Sequence, residues 1–549
     1  MATTAETIGG FLSSLGVRRI YGVPGGDSTL DVIEACRQRE IEFLLTHHEA
    51  SAAIMAATEG DLLCRPGTCL VGLGPGLASA TAGIAHAYLD RAPLLLLSGR
   101  PSRRTLRLAP HEGLDHSRLL ETVVKDMATV TASRAERLLH WAWAKAVAVP
   151  RGPVHLDIPA DEAIRPTRRS GHRPAEDRLS GPSPSAVRTA ARVLTPRRRV
   201  VVLAGLGCRE TGPAHALQEL VEHLGSPVLT THRAKGVIPE DHPLAAGVFA
   251  GGRLERELLS KADGILAVGV DSVEVMWRPW RGSLPVVVVA EHPTTPRPYE
   301  ASSEVIAELS SALGALREAL PPGGGWDLAA WAGQGGKFKA RARALLAEAS
   351  SGRGQKGVPP HRVVEIARSV LPRQAVAAVD SGAHALAVTA FWDSYEPKGF
   401  LCTGGLTASG HTLSAAIAAK LTLPDRPVLA FMGDGGFLRS LADLATAAWR
   451  RIPLVLVVFA DASLCLSRIQ QEQKRYAPAG VSLGMMEIPK LAESLGALGT
   501  EVEDEESLRS ALTDAVGTNL PAVIAVRVRP TGYRRMLEIL RGKAGDNNK

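Results

Sequence analysis

Two aspartates, Asp434 and Asp461, stand 27 residues apart (461 − 434) in a segment patterned to build a metal–diphosphate site. An apolar run, Val428 to Met432, leads straight into Gly433-Asp434-Gly435-Gly436, and a second, Pro453 to Phe459, leads straight into Ala460-Asp461. Between them Leu438, Leu441, Leu444, Ala445, Ala448 and Trp449 recur at helical spacing, so the unit predicts strand, loop, helix, strand. Such a crossover joins parallel strands and puts both aspartates at the carboxyl edge of one sheet, where open α/β sheets bind ligands. The glycines let the backbone approach an anion at the next helix's N-terminus, where free N–H groups favour phosphate. Two carboxylates beside a diphosphate suit a hard, oxygen-seeking Mg²⁺. A lone Gly-Asp-Gly is more simply a turn. The second aspartate at a neighbouring strand end is what favours the site.

Glu49 is the other candidate for chemistry. It lies in Leu44-Leu-Thr-His-His-Glu-Ala-Ser-Ala-Ala53, where a strand gives way to an alanine-rich helix. On its own, a glutamate in a helix's first turn is a favourable charge at the positive end of the dipole.

The Asp434–Asp461 segment resembles the signature of thiamine-diphosphate (ThDP) enzymes, which opens with Gly-Asp-Gly and closes near a pair of asparagines. The match runs without a gap and includes Ala445-Thr-Ala447 of the helix, and in the family's decarboxylases the second asparagine falls at this spacing. Here the closing pair is Ala460-Asp461, and an aspartate is at least as good a Mg²⁺ ligand as an asparagine. By resemblance, the third protein ligand is the backbone carbonyl of Ser463. His48 and Glu49 fall in register with the family's Arg-His-Glu-x-x-Ala-Ala motif. The resemblance implies that Glu49 hydrogen-bonds the cofactor's aminopyrimidine and relays a proton, so that a nucleophilic carbon forms and attacks a 2-oxo acid.

Further stretches fit the same family. Tyr21-Gly-Val-Pro-Gly-Gly-Asp27 resembles its first strand-end loop, which brings in Gly25 and Gly26; Gly74-Pro75-Gly76 resembles the second. Asp380-Ser-Gly-Ala-His384 matches a loop near the diphosphate, with His384 as a contact, and Gly152 to Pro159 matches the first domain's closing strand. In His111-Glu-Gly-Leu-Asp-His116, the resemblance places His116 where acetolactate-synthase-like members and benzaldehyde lyase carry a glutamine facing the cofactor. The largest departure is Gly405-Leu406-Thr407-Ala408-Ser409-Gly410. Relatives read Gly-Leu-Gly-x-(Met/Leu/Ile)-Gly there, with the bulky residue wedging the cofactor into a V shape. Ser409 takes that place, so either the register slips, a neighbour such as Leu406 or Leu413 supplies the wedge, or the cofactor geometry differs.

These residues need a scaffold, and 549 residues suffice for three domains of roughly 150–200 residues. Residues 1–165 alternate helical and strand patterns, Arg165–Ser185 reads as a linker, 186–320 begins a second βα series, and 361–530 carries the aspartates. The expected fold is therefore α/β, three mostly parallel sheets flanked by helices. The resemblance orders them as pyrimidine-binding, middle and diphosphate-binding domains. It also implies active sites between subunits of a homodimer or homotetramer. Some relatives hold a flavin or nucleotide in the middle domain. No pyrophosphate fingerprint occurs in Thr230 to Leu244 or elsewhere there, so FAD is admitted but not favoured.

The composition, 45% hydrophobic and 22% charged, is that of a soluble globular protein. The net charge of +7 comes from short arginine clusters such as Arg197 to Arg199, with no basic stripe or interleaved aromatics, which argues against nucleic acid. Six scattered cysteines without CxxC spacing and no signal-peptide pattern fit a cytoplasmic protein, and no apolar run approaches a membrane span. The leading expectation is decarboxylation of a pyruvate-like 2-oxo acid, with ligation of the resulting aldehyde unit to an acceptor, as in acetolactate synthase. A simple decarboxylase or carbon–carbon lyase is the alternative within the family. A non-catalytic ThDP-binding homologue is the alternative from another class.

Overall fold

The computed structural model describes residues 1–108, 113–167, 179–250, 254–274, 284–297, 299–326, 340–349, 351 and 356–541. His111, the Arg168-Arg169 pair, much of the expected linker and the Gly542–Lys549 tail lie outside these residues.

Three six-stranded sheets follow one another along the chain. The first contains β1 (Arg19–Gly22), β2 (Glu42–Leu45), β3 (Gly67–Val71), β4 (Leu94–Arg100), β5 (Asp126–Thr129) and β6 (Pro153–Pro159). The second contains β7 (Val200–Ala204), β8 (Val228–Thr230), β9 (Ala245–Val248), β10 (Gly264–Val268), β11 (Val286–Ala290) and β12 (Ser303–Ile306). The third contains β13 (Val376–Val379), β14 (Phe400–Cys402), β15 (Val428–Gly433), β16 (Val455–Ala460), β17 (Leu498–Val502) and β18 (Ala522–Arg527). The strand pairs in all three are parallel, with helices between them. This is the α/β architecture expected from the sequence. Interior strands such as Val286-Val-Val-Val-Ala290 and Val455-Leu-Val-Val-Phe-Ala460 are apolar throughout because both faces are covered.

The first sheet runs β2-β1-β3-β4-β6-β5 and the third β14-β13-β15-β16-β18-β17, the same order counted within each sheet. The second, read from its other edge, runs β9-β8-β7-β10-β11-β12. Each order reverses beside its sheet's first strand, and such a reversal opens a crevice at the strands' carboxyl ends. In the third sheet that crevice lies between β13 and β15, with β16 next in line.

The first and third sheets share one apolar core through the helices Glu49–Leu63, Gly74–Leu89 and Thr412–Thr422. The helix Glu49–Leu63 is buried without interruption from Ala52 to Gly60, as befits a helix apolar all round. Its small residues let neighbours come close: a Cβ on Gly83 would lie 2.3 Å from the Ala50 carbonyl oxygen.

The helix expected between the two aspartates is Asp434–Trp449. Of the residues that marked it, Leu444 and Ala448 are buried, whereas Leu438 is 39% exposed and Trp449 71%. Phe437, Ser440, Asp443 and Ala447 complete the inward face. Polar residues sit there because they are satisfied, the Ser414 hydroxyl donating to Asp443 at 2.7 Å and Ser440 donating to the Gly436 carbonyl at 3.1 Å.

Candidate active site

Asp434 is the first residue of its helix, directly after β15, and Asp461 directly follows β16. The N–H groups of Asp461 and Ala462 donate to Asp434 Oδ2 at 3.1 and 2.6 Å, and that of Gly435 donates to Oδ1 at 2.8 Å. Ala462 makes this turn in the left-handed region, at φ 54°, which alanine seldom adopts. The two carboxylates are thereby held together, largely out of water. Burial raises Asp434 above the usual carboxylate range, and burial with the charge of Asp434 pushes Asp461 up to about 7. Two desolvated acids of this kind await a cation.

They line a cavity of about 750 Å³ together with Gly433, Gly435, Gly436, Ser463, His384 and Phe459. His384, at the carboxyl end of β13, lies across the crevice between β13 and β15. Its ring stacks 5.5 Å from Phe459, and burial pushes it down to about 4, so it is neutral. Four buried polar atoms lining this cavity have no partner among the described residues: Asp461 Oδ1, Ser463 Oγ, His384 Nε2 and the Tyr533 hydroxyl. Buried polar groups are ordinarily satisfied, so unpaired atoms converging on one cavity call for a polar ligand. Two carboxylates, a helix N-terminus that carries glycines and a neutral imidazole fit a diphosphate with Mg²⁺.

The loop Gly405–Gly410 borders the same cavity through Thr407 and Ser409. Thr407 sits at φ 51°, strained for a β-branched residue. Ser409 donates to Asp380 Oδ2 at 3.1 Å, and the Gly410 N–H donates to the same carboxylate at 2.9 Å. Burial alone would raise Asp380, but the hydrogen bond and charge of His411 hold it below the usual range. Asp380 thus fixes this loop and was not among the residues singled out from the sequence. Its signal was there: like Asp434, it directly follows an apolar strand. Of the two leucines considered as wedges, Leu413 is fully buried in the core, and Leu406 is not part of the cavity's described lining.

Glu49 begins its helix after β2, over the second glycine loop; a Cβ on Gly76 would lie 3.5 Å from its carboxylate. Gly74 opens the helix after β3, and Gly25 packs against Gly72, where a Cβ would come within 2.6 Å of the Gly72 Cα. Gly26 has open space around it. These residues form a second constellation, separate from the Asp434 cavity. His47 bonds Thr446 at 3.0 Å, 12 residues (446 − 434) along the helix that starts at Asp434. At 1.5 Å per residue that is roughly 18 Å from the aspartate. Glu49 is not among the residues that line the Asp434 cavity.

His116 does not line the Asp434 cavity, and its short helix packs against the helix that Gly74 opens. Its side chain is 1% exposed, with Nδ1 2.6 Å from Asp157 Oδ1. Asp157 also accepts from Ser98 at 2.9 Å and Arg100 at 2.8 Å, and Ser98 Oγ lies 2.8 Å from His155 Nε2. His116 is thus part of a hydrogen-bonded network that ties its short helix to β4 and β6. Ligand atoms of His116, His155 and Asp157 come within 4.8 Å of one another, but hydrogen bonds account for that approach. Burial pushes His155 down to about 4 from an ordinary 6.5. The unfolded chain therefore takes up this proton first, and the folded state loses stability as pH falls from about 6.5 to 4. The stability advantage of wild type over His155→Gln should shrink across that interval, as thermal midpoints at several pH values would show.

Comparison with known proteins agrees with this geometry. Three family models match in succession: the N-terminal TPP binding domain over residues 2–119, the central domain over 187–316 and the C-terminal TPP binding domain over 380–526 of thiamine pyrophosphate enzymes. An acetolactate synthase of Bacillus subtilis is 26% identical over 95% of this chain and 93% of its own. The acetolactate synthase large subunit of Mycobacterium tuberculosis is 29% identical over 95% and 94%. A probable 2-ketoarginine decarboxylase of Pseudomonas aeruginosa is 27% identical over 96% and 94%. Three consecutive domain models, three parallel sheets in that order and a diphosphate-type cavity in the third converge: the chain belongs to the thiamine pyrophosphate enzymes and is acetolactate-synthase-like among them.

Proposed function

We propose that the protein decarboxylates a pyruvate-like 2-oxo acid and ligates the resulting aldehyde unit to an acceptor, with ThDP and Mg²⁺. The observation that carries this reading is the cavity at the β13/β15 crevice, lined by two paired carboxylates and four unpartnered buried polar atoms. Asp434, Asp461 and the Ser463 carbonyl would hold Mg²⁺, and the Gly435 and Gly436 backbone would receive the diphosphate. When bound, ThDP supplies a carbon nucleophile for the 2-oxo acid and an electron sink as CO₂ leaves. The protein's tasks are orientation and proton handling. His384, neutral through burial, can offer the diphosphate a hydrogen bond without adding charge. Asp380 keeps Thr407 and Ser409 at the cavity wall.

Glu49 of one protomer would meet the Asp434 cavity of its partner, so a homodimer is the smallest active unit. Support comes from the absence of Glu49 from the described lining of the Asp434 cavity and from apolar side chains left outside, Leu45 beside His47 and Trp449 at the helix end. No helix among the described residues is long and apolar enough to cross a membrane.

A simple decarboxylase is the second reading, favoured by the relative named a probable 2-ketoarginine decarboxylase. A screen of 2-oxo acids with ThDP and Mg²⁺, following CO₂ and weighing the products, separates the two. Ligated products support the proposal, free aldehyde alone selects the decarboxylase, and no CO₂ from any donor removes both.

A further inference from the structure

The middle sheet has the strand order of dinucleotide-binding folds, in which a pyrophosphate sits at the carboxyl ends of the first and fourth strands, among free backbone N–H groups. Here those strands are β7 and β10, and the groups around their ends are already in use. The N–H of Leu206, just past β7, donates to Glu274 Oε2 at 3.0 Å, and the N–H of Asp271, just past β10, donates to the same oxygen at 3.0 Å. The Thr231 hydroxyl, just past β8, donates to Oε1. Three strand ends therefore share one carboxylate, which stands where an incoming phosphate would stand.

The two loops are also closed on each other. The Gly207 N–H donates to the Gly269 carbonyl at 2.8 Å. A Cβ on Gly205 would lie 2.4 Å from the Val270 Cα and 2.5 Å from Glu274 Oε2, so no gap separates the strand ends. From outside, Arg91 of the first domain grips Asp271 with two bonds of 3.1 Å, and His292 adds a third contact at 3.2 Å. The cavity beside this closure measures about 80 Å³, and its lining acids Asp61, Glu210 and Asp271 are paired with Arg209, Arg151 and Arg91. Pockets for cofactors run to roughly 300–1,000 Å³, so this space is too small for one.

We propose that the middle domain is a dinucleotide-type sheet whose anion site is filled from within by the Glu274 carboxylate, so that it takes neither FAD nor an adenine nucleotide. The side chain replaces the ligand: it satisfies the N–H groups that a pyrophosphate would satisfy and holds the three strand ends together. A flavin, admitted by the family resemblance, does not fit these residues.

The test uses the full chain saturated with ThDP and Mg²⁺, so that the diphosphate site of the third domain is already filled. FAD retention is read from flavin absorbance after gel filtration, and ADP and inorganic phosphate are titrated by calorimetry. Wild type should retain no flavin and show no ADP heat. Glu274→Ala uncovers the N–H groups and should bind phosphate at least ~10-fold more tightly than wild type, about 1.4 kcal/mol. Glu274→Gln, which keeps the volume and an acceptor oxygen, should behave as wild type. Stoichiometric FAD or ADP on wild type overturns the proposal, and so does a folded Glu274→Ala with no gain in phosphate affinity. Should Glu274→Ala not fold, the wild-type and Glu274→Gln titrations decide alone: flavin or ADP on either refutes the closure, and none on both supports it.

Discussion

Glu49→Gln should lower turnover by about 10²–10⁴-fold, the usual weight of a general acid–base step, while the fold and ThDP affinity stay close to wild type. The glutamine amide has nearly the same shape but cannot exchange a proton with a ring nitrogen. Little structure depends on the charge, because His48 caps the helix by accepting the Ala50 N–H at 3.1 Å. Packing from Ala52 to Gly60 holds the helix in the core whatever stands at position 49. Calorimetry of ThDP binding and steady-state CO₂ release on the same preparation separate a lost proton relay from a lost cofactor. Turnover within a few-fold of wild type would remove Glu49 from the mechanism. Reduced ThDP affinity with normal turnover at saturation would make it a binding residue only.

Asp434→Ala should abolish measurable ThDP binding, and Asp461→Asn should be tolerated. Asp434 has two functions. Its carboxylate would ligate Mg²⁺, and its oxygens already gather the N–H groups of Gly435, Asp461 and Ala462. Alanine loses the ligand and releases that turn, leaving buried N–H groups unpaired at about 1–3 kcal/mol each. Asp461→Asn keeps an oxygen ligand and removes one negative charge, relieving the repulsion from Asp434 that helps push Asp461 up to about 7. Without metal, two carboxylates repel a diphosphate. ThDP titrations with Mg²⁺ and with chelator, on wild type and both variants, check the whole set. Wild type should bind ThDP only with Mg²⁺, whereas Asp461→Asn should depend less steeply on the metal. Tight ThDP binding in chelator, or by Asp434→Ala, would falsify the metal-site reading.

The three interior sheets and the Asp434–Asp461 unit were legible in the sequence because they rest on local rules. A strand covered on both faces must be apolar throughout, so β4, β7, β10, β11, β15 and β16 show themselves as runs. A ligand-binding strand end must carry glycine or a small acid, so Gly433-Asp434-Gly435 and Ala460-Asp461 stand out. Edge strands such as β17, Leu498-Gly-Thr-Glu-Val502, lie half in water and need no run, and they left no such trace.

Tertiary structure decided what depends on neighbours distant in sequence. Helical spacing reported that 434–449 is a helix, but that Asp443 belongs to its buried face follows from partners such as Ser414, which can satisfy it. His116 matched a motif position, and its partner is Asp157, 41 residues away, a buried charge that no local pattern announces. Glu274 carried no signal at all; only the meeting of β7, β8 and β10 gives its carboxyl group three donors to accept from. A sequence specifies periodicity and the chemistry available at each turn. Which polar groups find partners, and so which remain free to hold a ligand, is settled only when separate strands converge.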